Sequence, residues 1–344
     1  MKTRILFYSH QSNLAGAPLS LASIASGLPA EYEGWLVTPQ QGPMLKKVKC
    51  RTKVIGSMFQ TIKLIQFINQ HNIDIVHANT VLATPAVYAA KMTGKKLVWH
   101  IREDLDMFPA KLPQKILRLA DKVIVISDSM KKHFHNSNKV IRIYNGIKEQ
   151  KIKRIKRSQA PKILFAGTLE KRKGVKELLQ AIKYLRDIGA VKFKLNIYGR
   201  PLPGSNLYFK GLERYVNEGA LTNEVSFKGV TNNIIKAISE ADIITIPSLA
   251  EPFGRVAVEA MLCQKPVVAS KCGGLAEIVE HEKTGLLFPA GNQIVLAKQL
   301  HRLLKAPQLA KKYGLNGYKR YKQLFTEQKY VQNVIKVYKQ LLKD

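Results

Sequence analysis

The sequence predicts an α/β protein of two domains, each built on a parallel sheet with crossover helices. Short runs rich in β-branched residues alternate with helix-length amphipathic stretches along most of the chain. Such alternation is typical of parallel sheets whose strands are joined by helices. The 344 residues are enough for two domains with separate cores. A basic segment of low apolar content, Lys148–Ala160, separates the two sets of runs and is predicted to be an extended linker.

The predicted strands fall on both sides of this linker. The first set comprises Ile5–Ser9, Ile73–His77, Leu97–Ile101, Val123–Ser127 and Val140–Tyr144. The second set comprises Ile163–Gly167, Phe193–Gly199, Val225–Gly229, Ile243–Ser248, Pro266–Ser270 and Leu286–Phe288. Ligands of such sheets bind at the carboxyl ends of the strands, where His100, Gly167 and Glu251 fall. An amphipathic helix is predicted over Gln328–Lys343.

The chain is strongly basic, and it contains few cysteines. Its 56 Lys and Arg residues against 24 Asp and Glu residues give a formal charge of +32, spread over both halves. Such a field favours a polyanionic partner: an anionic membrane surface, a phosphate-bearing acceptor or nucleic acid. A general lysine bias remains an alternative. Three cysteines form no paired framework, which indicates reduced thiols in a cytosol.

No apolar run reaches the roughly 18 residues that a membrane-spanning helix needs. The apolar run after Met1 is too short for a signal peptide and is interpreted as a buried first strand. We therefore expect a cytoplasmic protein.

Two carboxylates eight positions apart, Glu251 and Glu259, form the most informative motif. Glu251 follows a predicted strand, and Glu259 lies inside an apolar helix that is predicted to begin near Gly254. A carboxylate shielded from water costs roughly 2–7 kcal/mol unless a partner binds it. The helix start between the two residues is suited to a phosphate. The pattern indicates a nucleotide-sugar site, in which one carboxylate binds sugar hydroxyls and the other binds the ribose diol.

A second phosphate-binding segment is predicted between Gly167 and Gly174. This loop follows a strand, precedes a helix and carries three consecutive cations, Lys171 to Lys173. By itself such a cluster is more often a solvated loop, but its occurrence beside the Glu251–Glu259 motif favours a diphosphate site.

These segments resemble the family-4 glycosyltransferases, which are retaining enzymes of the GT-B fold. The Glu251–Glu259 segment resembles the family's Glu-x7-Glu motif, and the Phe165–Gly174 segment resembles its phosphate loop. Further matching segments are Ile143–Ile147, Lys265–Ser270, Gly273-Gly274, Glu277–Val279 and Thr284–Leu287. The resemblance covers roughly residues 160–290 strongly and the earlier part more loosely.

The resemblance implies two Rossmann-like domains that face each other across a cleft. Residues 1–150 would form the acceptor-side domain, residues 160–325 the nucleotide-sugar domain, and residues 326–344 a helix that returns to the first domain. Three catalytic residues are implied: His100, Glu251 and Lys173. The implied donor-binding residues are Gly16, Gly167, Thr168, Arg172, Phe253, Gly254, Arg255, Val256 and Glu259.

The chain departs from the family's pattern at two positions. Thr168 stands where an arginine is expected, so the second phosphate charge must come from Arg172 or Arg255, of which we favour Arg255. Near the N-terminus, Gly16 matches one of two adjacent glycines, and Ala15 replaces the other.

A metal site is not expected from the sequence. Asp104 and Asp106 imitate an Asp-x-Asp metal motif, but the segment is interpreted as a helix-capping loop. No other His, Cys or carboxylate spacing resembles a metal site. No cofactor is expected beyond the nucleotide-sugar co-substrate.

A basic stripe is predicted on one helix of the first domain. Its members, spaced by four, three and four residues, are Lys111, Lys115, Arg118 and Lys122. Members of the resembled family often act on lipid-linked acceptors at the cytoplasmic membrane face. The stripe could bind anionic headgroups at roughly 1 kcal/mol per cation, or it could be a solvated helix face.

The sequence thus predicts a retaining, metal-independent glycosyltransferase. It would move a sugar from a nucleotide-sugar, by family frequency a UDP-sugar, to a glycan or lipid-linked acceptor in surface polysaccharide or glycolipid synthesis. One alternative is a nucleic-acid-modifying enzyme of the same fold, which the lack of aromatics in the basic segments Lys46–Lys53 and Lys111–Lys122 disfavours. Another is a non-catalytic sugar- or nucleotide-binding member of an assembly complex. The sugar, acceptor, linkage and oligomeric state are not determined by the sequence.

Overall fold

The computed structural model describes residues 2–135, 137–152, 160–189 and 191–343. The chain divides into two compact units: unit 1 comprises Met1–Lys148 and Phe325–Asp344, and unit 2 comprises Glu149–Leu324. Part of the predicted linker, residues 153–159, lies outside the described residues.

Unit 1 begins as an alternation of strands and helices. Its strands are β1 (Thr3–Ser9), β2 (Tyr32–Thr38), β3 (Arg51–Val54), β4 (Ile75–Asn79), β5 (Lys96–Ile101), β6 (Lys122–Val125) and β7 (Val140–Arg142). Its helices before the linker are α1 (Gly16–Ser26), α2 (Gln60–Gln70), α3 (Thr84–Met92), α4 (Leu112–Leu119) and α5 (Asp128–Lys131). Short 3-10 helices occur at Leu45–Lys47, Leu105–Met107 and Lys132–Phe134.

Unit 2 repeats the alternation. Its strands are β8 (Lys162–Ala166), β9 (Lys194–Tyr198), β10 (Val225–Gly229), β11 (Ile243–Ile246), β12 (Val267–Ser270) and β13 (Gly285–Phe288). Its helices are a 3-10 turn at Lys171–Lys173 and α6 (Val175–Asp187), α7 (Asn206–Glu218), α8 (Ile234–Glu240), α9 (Arg255–Leu262), α10 (Leu275–Ile278), α11 (Gln293–Lys305) and α12 (Pro307–Leu324). The last helix of the chain, α13 (Glu327–Leu341), belongs to unit 1.

Both units contain a parallel sheet. The strand order is β3-β2-β1-β4-β5-β6-β7 in unit 1 and β10-β9-β8-β11-β12-β13 in unit 2. Neighbouring strands pair in parallel, as in β1 with β4 and β11 with β12. The predicted α/β class is confirmed. Every predicted strand is found within a few residues, and β2 and β3 are additional strands.

Each sheet is buried by helices that pack on it. Because crossovers between parallel strands are right-handed, the strand order implies that α1 covers one face of the unit 1 sheet and that α2, α3 and α4 cover the other. Helix α13 packs beside α1, and its apolar side, which includes Val334 and Leu341, joins the core formed by Ile5 and Leu36. In unit 2, Leu178 and Ile182 of α6 pack with Leu195 of β9 and Leu300 of α11. These cores fix the carboxyl ends of the strands, from which the candidate site is built.

Candidate functional site

The predicted phosphate loop connects β8 to α6 in unit 2. It runs from Gly167 to Gly174, and its three cations form a 3-10 turn that ends directly before α6. Gly174 adopts a φ of +67°, and a Cβ atom there would lie 1.9 Å from the carbonyl oxygen of Pro247. A glycine is therefore needed for the loop to contact the segment that follows β11. This contact brings the cations next to Glu251.

The second half of the site is the start of α9. Gly254 precedes the helix with a φ of +103°, and a Cβ atom at this position would lie 2.5 Å from Cδ2 of Leu275. Helix α9 starts at Arg255, one residue after the predicted position. Because its first backbone N–H groups lack partners within the helix, this end is suited to an anion.

Two ion pairs join the cations of the site to its carboxylates. Lys173 Nζ donates to Glu251 Oε2 at 2.6 Å, and both side chains are largely buried. Arg255 Nε donates to Glu259 Oε1 at 2.9 Å, one helical turn away on α9. Each predicted carboxylate is thus held by one of the two cations favoured for the diphosphate. Ser248 also donates to Glu251 Oε2, at 3.3 Å.

Glu259 is only 5% exposed, which agrees with its apolar neighbours in the sequence. Burial raises the pKa of its carboxyl group, and the charge and hydrogen bond of Arg255 partly offset this effect. A carboxylate maintained at such a cost is typical of a binding site.

Thr168 and Arg172 form a separate network within the loop. Glu170 Oε1 accepts from Thr168 Oγ1 at 2.7 Å and from an Arg172 Nη2–H group at 2.9 Å. Arg172 also donates to the carbonyl oxygen of Ala250 at 3.0 Å. The guanidinium therefore ties the phosphate loop to the Glu251 segment, whereas Arg255 lies at the helix start.

A glycine pair shapes the other side of this segment. A Cβ atom on Gly273 would lie 2.2 Å from the Glu251 carbonyl oxygen, and one on Gly274 would lie 2.5 Å from that of Phe253. Gly274 N donates to the Glu251 carbonyl oxygen at 2.9 Å. Because the Phe253 side chain is buried, we expect any ligand contact from this residue to use its backbone. Val256, in the first turn of α9, is partly exposed.

The remaining predicted site residues lie in unit 1. Gly16 is exposed at the first position of α1, and His100 is fully buried at the end of β5. Asp104 caps the 3-10 helix that follows, accepting from Asp106 N, as a capping loop does. Around His100 the structure assembles polar side chains that sequence reasoning did not assign to the site, chiefly Arg102, Tyr330 and Tyr338. The sequence features that could have indicated them are a basic residue just after a predicted strand, for Arg102, and tyrosines on the apolar side of the last helix, for Tyr330 and Tyr338.

The predicted basic stripe is shorter than its spacing indicated. Lys111, Lys115 and Arg118 lie at or on α4 and are exposed. Lys122 is the first residue of β6 and is partly buried, so it does not belong to the helix. The helix was predicted to extend to Lys122 because neither Ala120 nor Asp121 is a residue that typically ends a helix.

Within the described ranges, no helix combines the length and the hydrophobicity needed to cross a membrane. The described residues also contain no group of three or more His, Cys, Asp or Glu side chains arranged to hold a metal ion.

Two family models match the chain. The model described as Glycosyltransferase Family 4 matches residues 16–151, and Glycosyl transferases group 1 matches residues 146–320. An uncharacterized glycosyltransferase of Methanocaldococcus jannaschii is 32% identical over 64% of this chain and 60% of its own length. For a second one from that organism, also 32% identical, the match spans 53% of this chain and 50% of the relative. The N-acetyl-alpha-D-glucosaminyl L-malate synthase of Bacillus anthracis is 25% identical over 82% of this chain and 78% of its length.

Solved structures share the fold over nearly the whole chain. HepE from Anabaena, solved in complex with UDP and glucose, has a TM-score of 0.85 at 25% identity and covers 97% of this chain and 99% of its own. Sucrose-phosphate synthase from Thermosynechococcus elongatus has a TM-score of 0.78 at 21% identity over 99% of this chain and 100% of its own. With the group 1 model matching half of its residues, the chain belongs to the family-4 glycosyltransferases and has their GT-B fold.

Proposed function

We propose that this protein transfers a sugar from a UDP-sugar to a hydroxyl group of a glycan or lipid-linked acceptor. The observation that carries this proposal is a pair of cation–carboxylate contacts in unit 2: Lys173 of the phosphate loop with Glu251, and Arg255 with Glu259 on α9. A nucleotide-sugar needs acceptors for its sugar and ribose hydroxyls and positive charge for its diphosphate. The phosphate loop and the start of α9 together supply both.

Each residue has a role that follows from its chemistry. Glu251 accepts hydrogen bonds from the donor sugar, and Glu259 accepts them from the ribose diol. Lys173 and Arg255, with the N–H groups at the start of α9, offset the charge that develops on the diphosphate as it leaves. As the family resemblance implies, we propose that His100 is a further catalytic residue. The reaction retains the anomeric configuration and needs no metal ion. That HepE was solved with UDP and glucose favours uridine as the donor base.

Thermal unfolding with UDP, GDP and ADP tests the donor site. A nucleotide at about 100 times its dissociation constant adds roughly 2.7 kcal/mol of stability, or roughly 5–11 °C for a domain of this size. We expect UDP to give this shift, Glu259→Gln to remove it, and Glu213→Gln, on the exposed side of α7, to keep it. No shift with any nucleotide would contradict the proposal.

A turnover assay distinguishes a catalytic glycosyltransferase from a non-catalytic binding protein. Release of UDP from UDP-glucose or UDP-N-acetylglucosamine, by hydrolysis or transfer, should persist in EDTA, and product NMR should show the donor's anomeric configuration. Nucleotide binding without any turnover across donor and acceptor panels would instead support the non-catalytic alternative.

We also propose that unit 1 binds an anionic membrane surface through the sheet face that carries α2, α3 and α4. Exposed apolar side chains lie on or next to these helices: Met58 and Phe59 are 72% and 70% exposed, and Met92 is 71% exposed. Lys115 Nζ lies 5.8 Å from the ring centroid of Tyr88, so the cations of α4 adjoin α3. Apolar side chains beside lysines are typical of surfaces that insert at the headgroup level.

Vesicle sedimentation distinguishes this surface from a general effect of charge. Lys115→Glu with Arg118→Glu should abolish binding to phosphatidylglycerol vesicles, whereas Lys298→Glu with Lys305→Glu, exposed on α11, should preserve most of it. Equal losses from both pairs, or tighter binding to oligonucleotides than to vesicles at moderate salt, would refute the membrane proposal. The second result would favour a nucleic-acid acceptor.

A further inference from the structure

A buried polar cluster surrounds His100 at the carboxyl ends of β4 and β5 in unit 1. All of its side chains are less than 10% exposed: His77, Asn79, His100, Arg102, Asn145, Tyr330 and Tyr338. Two of them, Tyr330 and Tyr338, come from α13. The donor and acceptor capacities of these groups determine where the proton of His100 lies.

Arg102 is the central group of the cluster. Its Nε and Nη1 atoms donate to the side-chain oxygens of Asn79 and Asn145, and Nη2 donates to the Tyr330 hydroxyl at 2.8 Å. In the described part of the chain, no carboxylate forms an ion pair with this guanidinium, which is 7% exposed. Its charge is thus solvated by neutral oxygens, which leaves an uncompensated positive charge beside His100.

The geometry of Arg102 fixes the tautomer of His100. Arg102 Nη2 lies 3.3 Å from His100 Nδ1, and a guanidinium can only donate. Nδ1 must therefore be the unprotonated, accepting nitrogen, and the single proton of a neutral ring must be on Nε2. Burial, followed by the charge of Arg102, lowers the pKa of His100 well below its ordinary value, so the ring is neutral.

His77 and Tyr338 extend the same pattern. His77 Nε2 lies 3.2 Å from His100 Nδ1, so it can approach as a hydrogen-bond partner only if it carries its proton and donates. His77 Nδ1 is then the acceptor for the Tyr338 hydroxyl, at 2.6 Å. Burial and the charge of Arg102 lower the pKa of His77 to about 3, which excludes a second proton. The chain of donors therefore runs from Tyr338 through His77 to His100.

The end of this chain is an unused donor. His100 Nε2 is buried and has no hydrogen-bond partner among the described residues. An unsatisfied buried N–H group costs about 1–3 kcal/mol, and such a cost at the end of an ordered network points to a ligand oxygen.

We propose that Arg102, His77 and Tyr338 are positioning residues that fix His100 as a neutral imidazole with its proton on Nε2, available to an oxygen atom of a bound ligand. The inference rests on the proposed function for its ligand, but its tautomer assignment concerns the protein alone. Arg102 supplies the obligatory donor to Nδ1. The His77–Tyr338 pair adds a second donor and prevents the ring from rotating.

Long-range ¹H–¹⁵N spectra of the ¹⁵N-histidine-labelled protein test the assignment directly, with His77→Gln and His100→Gln used to identify the two rings. The expected spectrum shows both rings neutral at pH 7 with protons on Nε2. A wild-type His100 that is protonated on Nδ1, or on both nitrogens, would overturn the proposal. This experiment needs no substrate, so a failure of the glycosyltransferase proposal would leave its result unchanged.

Variants connect the tautomer to the reaction. Arg102→Met removes the obligatory donor and should leave His100 as a mixture of tautomers, with kcat reduced about tenfold or more and the donor KM changed less than about twofold. Tyr338→Phe should release the tautomer of His77 alone and reduce kcat by a smaller factor. If Arg102→Met fails to fold, Tyr338→Phe provides the test of the network. A rise in KM without loss of kcat, or an unchanged His100 tautomer in Arg102→Met, would reduce these residues to a structural role.

Discussion

Neutralising Lys173 and Glu251 one at a time is the sharpest test of the donor site. Their charged atoms lie 2.6 Å apart, and the side chains are 16% and 14% exposed. Removing one partner of a fully buried pair costs about 3–5 kcal/mol, because the other charge is left without compensation. Since both side chains retain some contact with solvent, we expect each single substitution to cost about 2 kcal/mol.

The two single variants should then differ in their response to UDP. Glu251→Gln keeps a hydrogen-bonding side chain near Ser248 and leaves Lys173 as an unpaired cation, for which a diphosphate is a suitable partner. Lys173→Met leaves the Glu251 carboxylate unpaired, and this charge repels the ligand. We therefore expect UDP to stabilise Glu251→Gln at least as well as the wild type and to lose most of its effect on Lys173→Met. The double variant should regain stability without regaining UDP binding.

Thermal unfolding at low salt, with and without UDP, measures both effects. A change of 2 kcal/mol corresponds to roughly 4–8 °C for a domain of this size. The matched control is the exposed pair Lys183–Asp187 on α6, whose two single-variant penalties should simply add in the double variant because solvent screens the pair. The reasoning would be refuted if the Lys173 and Glu251 penalties were additive in the double variant, or if Lys173→Met kept the full UDP shift.

Three further substitutions test individual parts of the site. Glu259→Gln should raise Tm at pH 7, because the folded-state pKa of this carboxyl exceeds its unfolded value and charging it therefore costs stability. The gain should vanish below about pH 4, where the carboxyl is protonated in both the folded and the unfolded state. A lower Tm at pH 7 would contradict this reasoning. Gly254→Ala should cost about 2 kcal/mol in thermal unfolding, since φ is +103° and the new Cβ would meet Leu275; an unchanged Tm would show that the backbone adapts. Arg172→Gln should weaken UDP binding several-fold in calorimetry by releasing the Ala250 carbonyl, whereas unchanged affinity would confine Arg172 to a structural role.

The sequence predicted the fold well where strands are buried on both sides. β4, β5, β11 and β12 consist almost entirely of buried residues and are rich in apolar and β-branched side chains, so their strand signal does not depend on tertiary contacts. β2 was missed because Glu33 and Gly34 interrupt it, and it is completed by pairing with β1. β3 is an edge strand with mostly exposed residues, Arg51 to Val54, so no apolar pattern marks it.

The candidate site was predictable to the extent that its residues are close in sequence. Glu251 and Glu259 are separated by one loop and one helical turn, so their relation could be derived from spacing. The pairing of Lys173 with Glu251 spans 78 residues and depends on the contact of Gly174 with Pro247, which only the fold reveals. The same holds for Tyr338 and His77, which are 261 residues apart.

The proposed donor site is locally neutral although the chain as a whole is strongly basic. Lys173 and Arg255 each contact a carboxylate, so the four side chains together carry no net charge, and a diphosphate brings negative charge to a locally neutral site. Beyond Lys173 and Arg255 themselves, the N-terminus of α9 and the field of the +32 chain supply the further positive charge that a diphosphate needs. That field is screened beyond about 8 Å at physiological salt, whereas the helix terminus acts at contact. Raising the salt concentration should therefore slow donor association more than it speeds dissociation. Since an unpaired pocket cation would reverse this balance, Glu251→Gln is the variant in which the salt dependence of dissociation should increase.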